Sequence, residues 1–251
     1  MANTPDWLIA RPIAHRGLHD ATAGRAENSL SAIGAAADRG FSIEVDVQLS
    51  REGEAMVFHD GTLARLCGAA LAIDDLTVAE LQSHRLGSTA DTIPTLWEVL
   101  QRIGGRVPII IEIKNDDPIR PHHHLVQRTV EVVAAYSGPV ALKSFDPDVL
   151  VAVKQLAPQL PRGIIADKTT DPRYYGHMTA RDRFVRRHLL HAYRTQPDFV
   201  SYCIKDLPAP GPAVLRTFFN RPTMTWTVRT PQDRLRASTY ADQIIFEGFV
   251  P

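Results

Sequence analysis

Ser42-Ile43-Glu44-Val45-Asp46-Val47 is a run of β-formers interrupted at every second place by a carboxylate. Residues i and i+2 of a strand share a face, so Glu44 and Asp46 enter one space while Ile43, Val45 and Val47 face the other way. Outward from this run, short Val- and Ile-rich stretches recur at 12–14, 107–113, 139–142, 163–166, 199–203, 223–227 and 243–246. Longer helix-like stretches separate them, and that alternation predicts βα units around a parallel sheet. Eight strands of this kind predict an α/β fold of the TIM type, a (β/α)8 barrel forming one domain over residues 1–251.

Helices are expected at 28–39, 95–103, 124–135, 147–156, 181–193 and 231–237, several of them opening on a Pro or Thr start signal. Proline-rich 207–212 reads as a loop before a shorter helix. The connection at about 60–93 is unusually long, carries a helical piece near 75–83, and is expected to cap the substrate side of the barrel. After the last strand, Glu247-Gly248-Phe249 leaves the eighth helix as the one element that the pattern does not supply.

Composition narrows the function classes. Hydrophobic residues make up 44% of the 251 and charged residues 22%, enough apolar material for a large core. Lys plus Arg equals Asp plus Glu at 28 each, so no global positive field gathers a nucleic-acid backbone. The basic cluster Arg181, Arg183, Arg186 and Arg187 reads as the solvated outer face of a helix. Two distant cysteines, Cys67 and Cys203, indicate neither a disulfide framework nor a thiolate metal site, and suit a reducing, cytoplasmic compartment. No secretory leader and no apolar run near ~20 residues is visible, so integral membrane association is not expected.

A third carboxylate arrives from Ile109-Ile110-Ile111-Glu112-Ile113-Lys114, where Glu112 and Lys114 repeat the i, i+2 geometry. Three acids converging in an apolar barrel mouth repel one another, which calls for a cation or for raised pKa values. One hard divalent ion, Mg2+ or Ca2+, suits an all-oxygen set held by Glu44, Asp46 and Glu112 better than zinc does. His15, ending the first strand in Ala14-His15-Arg16-Gly17, and His59, in a short hairpin after the second, fall on the C-terminal rim where barrels build active sites. Two imidazoles beside an acid trio suit an acid and a base.

Taken in order, His15-Arg16-Gly17, Glu27-Asn28, Glu44-Val45-Asp46-Val47, His59-Asp60 and Glu112-Ile113-Lys114 resemble the motifs of the glycerophosphodiester phosphodiesterases. Ser144-Phe145-Asp146-Pro147 and Trp226-Thr227-Val228 resemble that family's later strand ends. No one motif is specific, but five in order are. The resemblance implies metal-dependent hydrolysis of glycerophosphodiesters to glycerol 3-phosphate and an alcohol. It implies His15 and His59 as general acid and base, Glu44, Asp46 and Glu112 on the metal, and Arg16 and Lys114 on the phosphate. Three carboxylates against a dication, Arg16 and Lys114 leave one net positive charge for a phosphodiester anion. The nucleophile is either water or the adjacent glycerol hydroxyl, and a bell-shaped pH dependence is expected. Alternatives are a lysophospholipase D-like or other alkyl phosphodiesterase, a metal-dependent aldolase or isomerase barrel, and a non-catalytic barrel that binds a phosphorylated small molecule.

Further residues have two readings each. Asn28 orients the rim or touches phosphate, or else caps the following helix. Trp226, with Phe145, lines the alcohol-binding wall or belongs to the core. Lys143 is a second phosphate donor or a solvated strand end. His122-His123-His124 reads as exposed histidine at a helix start, since adjacent helical residues splay apart, and Asp116-Asp117 as a capping loop. One departure stands out: the family closes its last strand with Thr-Asp and a proline, where this chain has Phe246-Glu247-Gly248, and Glu247 is the acid available to substitute.

Overall fold

In the computed structural model, which describes residues 4–115 and 123–251, eight parallel strands close on themselves. They are β1 (Ile13–His15), β2 (Ser42–Leu49), β4 (Ile109–Ile113), β5 (Val140–Ser144), β6 (Arg162–Ala166), β7 (Phe199–Cys203), β8 (Thr223–Val228) and β9 (Gln243–Phe246), while β3 (Ala55–Val57) pairs antiparallel with β2. Because β1 pairs with both β2 and β9, the ring β1-β2-β4-β5-β6-β7-β8-β9 has no free edge. The barrel expected from the sequence is the fold. The Asp116-Asp117 pair and His122 lie outside the described residues, and His123 and His124 are exposed at a helix start.

The helices are α1 (Leu30–Asp38), α2 (Ala64–Cys67), α3 (Val78–Ser83), α4 (Leu96–Ile103), α5 (His123–Ala134), α6 (Pro147–Leu156), α7 (Pro172–Tyr175), α8 (Ala180–Arg187), α9 (Ala192–Thr195), α10 (Pro210–Phe219) and α11 (Pro231–Tyr240). Their starts follow from local chemistry. Ser29, Thr95, Asp146 and Thr230 each accept a hydrogen bond from a backbone N–H of the first turn, satisfying a donor that the helix itself leaves orphaned. Along α4, Leu96, Val99, Leu100 and Ile103 recur at helical spacing and pack with Ile43, Val45 and Ile111, the residues that β2 and β4 turn outward. The helix expected at 181–193 is in fact two, α8 and α9, divided where Leu189 takes a left-handed φ of 57°. Residues 247–251, after β9, form no helix.

Inside the ring, Ile13, Ile110, Ala141, Phe199, Met224 and Ile245 form one buried cluster that plugs the barrel. Gly163 of β6 makes room for it: a Cβ there would stand 2.2 Å from the Phe199 ring. Two residues further along five of these strands, on the same face, come His15, Glu112, Lys143, Trp226 and Glu247. The apolar plug is therefore the floor of a polar layer at the C-terminal rim. Segment 60–93 folds beside that rim around its own cluster of Met56, Phe58, Leu63, Ile73, Leu81, Leu86 and Ile93. No helix among the described residues is long and apolar enough to cross a membrane.

Candidate active site

Strand register assembles the polar layer. His15 lies level with Glu44, and Asp46 with Glu112, which in turn lies level with Lys143. Glu44, Asp46 and Glu112 are all buried and can each offer a carboxylate oxygen within 4.8 Å of the other two. The trio expected from the two strand motifs is thus one cluster.

Its charge balance differs from the expectation. The acids are compensated by the protein itself: Lys143 Nζ stands 2.9 Å from Glu44 and 3.6 Å from Glu112. Lys114 Nζ lies 2.9 Å from Asp46 and also bonds Glu112, and Arg16 Nε lies 3.3 Å from Asp46. Burial would push the Glu44 and Asp46 carboxyls up, but Lys143 beside the first, and Lys114 and Arg16 beside the second, more than reverse this. Both are held below the ordinary carboxylate range, Asp46 well below, so these two acids are tolerated through their cations and not through raised pKa values. Lys143, only 3% exposed, is no solvated strand end. With it counted, three cations balance three carboxylates, and a divalent ion would leave two positive charges to meet a phosphodiester, not one.

An ion nevertheless fits the donor set. Three buried carboxylates within reach of one point are the hard oxygen ligands that Mg2+ and Ca2+ take. The Lys114 ammonium stands between Asp46 and Glu112, so a cation is already accommodated beside two of the three carboxylates. Burial works against that charge, yet the two carboxylates raise the Lys114 pKa above its usual value.

Both histidines are held from behind by a carboxylate. His15 Nδ1 is 2.8 Å from Glu247 Oε2, and its Nε2 faces Glu44 at 3.9 Å. His59 Nδ1 is 2.6 Å from Asp60 Oδ1, and His59 lies close enough to Asp46 to help hold that carboxyl charged. In each ring Nδ1 is occupied, which leaves Nε2 as the nitrogen free to exchange a proton. Glu247 also receives Arg229 through two bonds of 3.1 Å and lies 3.9 Å from His19. Burial would raise the Glu247 carboxyl, but its hydrogen bonds with His15 and Arg229, with His19 nearby, hold it far below its usual range.

Backbone strain supports the same place. Arg16 and Asn28 both adopt left-handed conformations, at φ of 55° and 58°. Arg16 N–H donates to Glu44 at 3.1 Å while its guanidinium reaches Glu27 at 2.6 Å. Gly17 follows because a Cβ there would strike the Ala32 backbone at 2.8 Å. Asn28 does not cap the following helix: its amide donates to Asp46 at 2.9 Å, and the cap is Ser29. Trp226 packs edge to face on Phe145 at 5.7 Å and donates to Ser201 O at 3.0 Å.

The sequence alone does not reveal Glu247, Asp60 and Arg65 as supports; it marks Glu247 only as an available acid. Arg65 bonds Asp60 at 2.6 Å and Glu27 at 2.8 and 2.9 Å, completing a chain from His59 to Arg16. The short spacing of Asp60 and Arg65 was the available signal; their link to Glu27 was not visible without the fold. The basic cluster on α8 also departs from a wholly solvated face, since Arg183 and Arg186 turn inward onto backbone carbonyls.

A closed parallel barrel with a buried acid trio and two imidazoles at its C-terminal rim defines a class of rim-built hydrolytic site. Residues 15–246 match the family model for the glycerophosphoryl diester phosphodiesterase family, and the chain belongs to that family. A glycerophosphodiester phosphodiesterase of Caldanaerobacter subterraneus is 31% identical over 163 residues, which are 61% of this chain and 65% of that protein's length. The crystal structure of a glycerophosphodiester phosphodiesterase from Thermotoga maritima is 26% identical, with a TM-score of 0.69 over 93% of this chain and 92% of that one. A phosphodiesterase of Oleispira antarctica, solved in complex with the product sn-glycerol-3-phosphate, shares the fold at a TM-score of 0.77 and 21% identity, covering 96% of this chain and 93% of its own.

Proposed function

We propose that the protein hydrolyses glycerophosphodiesters to glycerol 3-phosphate and an alcohol, in a metal-dependent reaction carried by His15 and His59. The observation that carries this reading is the pair of carboxylate-backed imidazoles flanking one buried acid trio. Family membership and the product named for the Oleispira relative support the same substrate class. The two free thiols, Cys67 and Cys203, suit cytoplasmic residence.

Glu44, Asp46 and Glu112 would hold a divalent ion, Mg2+ or Ca2+. When bound, that ion supplies Lewis-acid stabilisation of the negative charge that accumulates on the phosphoryl oxygens. Arg16 and Lys114 place further donors against the same oxygens, and Lys143 adds a third cation from the next strand. One histidine takes at Nε2 the proton of the attacking hydroxyl. Attack by water gives glycerol 3-phosphate directly, whereas attack by the substrate's own glycerol hydroxyl first gives a cyclic phosphodiester, which water opens to glycerol 3-phosphate in a second step with the histidine roles reversed. As the new P–O bond forms, the bond to the leaving alkoxide breaks and the second histidine gives that oxygen the proton from its Nε2. Glu247 and Asp60 fix the rings and stabilise each imidazolium in turn. Asn28 holds Asp46 in position, and Trp226 borders the space for the alcohol.

The test is release of glycerol 3-phosphate from glycerophosphocholine with Mg2+, with Ca2+ and after thorough chelation. Turnover that needs a divalent ion and disappears in His15→Ala and His59→Ala supports the reading. Full activity in chelator, or product detected as phosphocholine, sinks it.

A further inference from the structure

The acid trio, Lys114 and Lys143 all come from the β2–β4–β5 side of the ring. Segment 167–191 instead rises from the end of β6, the strand four places from β1 in either direction. Resting on the reading above, we propose that this segment selects diesters whose alcohol half carries a further negative charge, a second phosphate or a carboxylate, by receiving that charge in a cationic cavity.

The cavity has a volume of about 500 Å³ and is lined by Lys168, Arg183, Arg187 and His188 together with Tyr175 and Phe184. Asp171 also lies on its wall. Its wall carries Lys168, Arg183 and Arg187 against the single acid Asp171, in a chain whose formal net charge is zero. Such a concentration inside a concave surface selects anions, where a neutral overall balance gives no such preference.

The segment is fixed to the candidate active site. Arg186 donates to Phe145 O at 2.7 Å, and Phe145 packs on Trp226, the aromatic in the polar layer of the barrel. The Tyr175 hydroxyl lies near Asp167, the first residue beyond β6; burial, and then the charge of Asp167, push the hydroxyl pKa up. Arg183 holds the turn between α7 and α8 by donating to Tyr175 O at 3.3 Å and Met178 O at 2.7 Å. Lys168 pairs with Asp206 at 3.2 Å, whereas Arg187 has no ion pair among the described residues. An exposed, unpaired guanidinium on the cavity wall is the group best placed to meet an incoming anion, and its planar fork matches phosphate and carboxylate. With the diester phosphate at Arg16 and Lys114, the alcohol half would have to extend past Trp226 and Phe145, the residues that link this segment to the site, to reach the wall. A quaternary ammonium head group arriving there meets like charge, so the same cavity disfavours choline esters.

The experiment compares kcat/KM for bis(glycerophospho)glycerol and glycerophosphoinositol 4-phosphate with that for glycerophosphocholine, at low ionic strength and saturating divalent ion. The native enzyme is expected to favour the two anionic-head diesters. Arg187→Gln should lower the anionic-to-choline ratio about tenfold, the size of one charge-assisted hydrogen bond. Arg187→Glu, on an exposed side chain that folding does not need, should lower it further and turn the preference towards choline. Arg181→Gln, exposed on the same helix but off the cavity wall, serves as the control and should leave the ratio in place. A ratio that ignores Arg187→Glu, or that moves equally in Arg181→Gln, overturns the proposal. Turnover of none of the three substrates would instead overturn the parent activity.

Discussion

His15 and His59 stand against the same acid trio but are held by different kinds of structure. His15 projects from a strand inside the closed ring, its side chain is 11% exposed, and its carboxylate partner comes from the neighbouring strand end at Glu247. His59 follows a hairpin, its side chain is 31% exposed, and its partner Asp60 is the next residue in the chain. Behind Glu247 stands Arg229; behind Asp60 stands Arg65, 47% exposed on the short helix α2. One imidazole is thus positioned by closure of the barrel and the other by a local turn braced by a surface ion-pair chain. Long-range strand pairing places the support of the first, whereas the support of the second comes from its own neighbour and from the 60–93 segment.

The largest expected effect tests whether both positions matter equally to chemistry. His15→Ala and His59→Ala should each lower kcat by about 10²- to 10⁴-fold in metal-saturated enzyme, the usual contribution of one general acid or base. The double variant should be little worse than either alone, because the two act as a unit. Near-normal turnover in one of them would mean that only the other region is catalytic. Next in size, Lys143→Met should destabilise the protein by about 3–5 kcal/mol in urea unfolding, because it leaves Glu44 and Glu112 buried without their shared cation. Added Mg2+ or Ca2+ should restore part of that loss if the trio binds the ion, and no recovery would count against metal at these acids.

The supports should separate the two regions more finely. Glu247→Gln and Asp60→Asn keep an acceptor for Nδ1 but remove the charge behind the ring, and each should cost on the order of tenfold to a hundredfold in kcat. Glu247→Gln should be the more severe, and equal losses would erase the distinction between support from barrel closure and support from a local turn. Arg65→Gln should be the mildest, within about 1 kcal/mol of native stability, because exposed ion pairs contribute little. Acidity offers a further contrast. Glu247 is depressed far below its unfolded value, so its stabilisation is fully present above about pH 4.3 and is lost as pH falls below that. Glu247→Gln should therefore lower Tm at neutral pH and flatten its decline below pH ~4. Asp60, also depressed, should give a weaker version of the same change.

Residues whose placement depends on strand alternation were legible in the sequence. Glu44 and Asp46 had to share a face, Glu112 repeated the pattern on the next parallel strand, and the ring of eight followed from the spacing of apolar runs. Lys143 stayed ambiguous because a single lysine ending an apolar run looks alike whether it faces solvent or a buried acid; the register with Glu112 decides it. The balance of charge was misjudged for that reason. Glu247 could be flagged only as an available acid, since its partner His15 is 232 positions away and nothing local links them. The division of the long predicted helix at Leu189 was hidden because a left-handed leucine carries no turn signature such as glycine would. Arg183 and Arg186 looked solvated because a helix's inner and outer faces are assigned from apolar neighbours, and their targets are backbone carbonyls.

The seam between the first and last strands of the ring has a consequence for how activity arises during folding. The nearest support of one imidazole is delivered by the strand that completes the closure, so a partly folded chain can present His15 but cannot yet brace it. Full competence should therefore come only with completion of the circle.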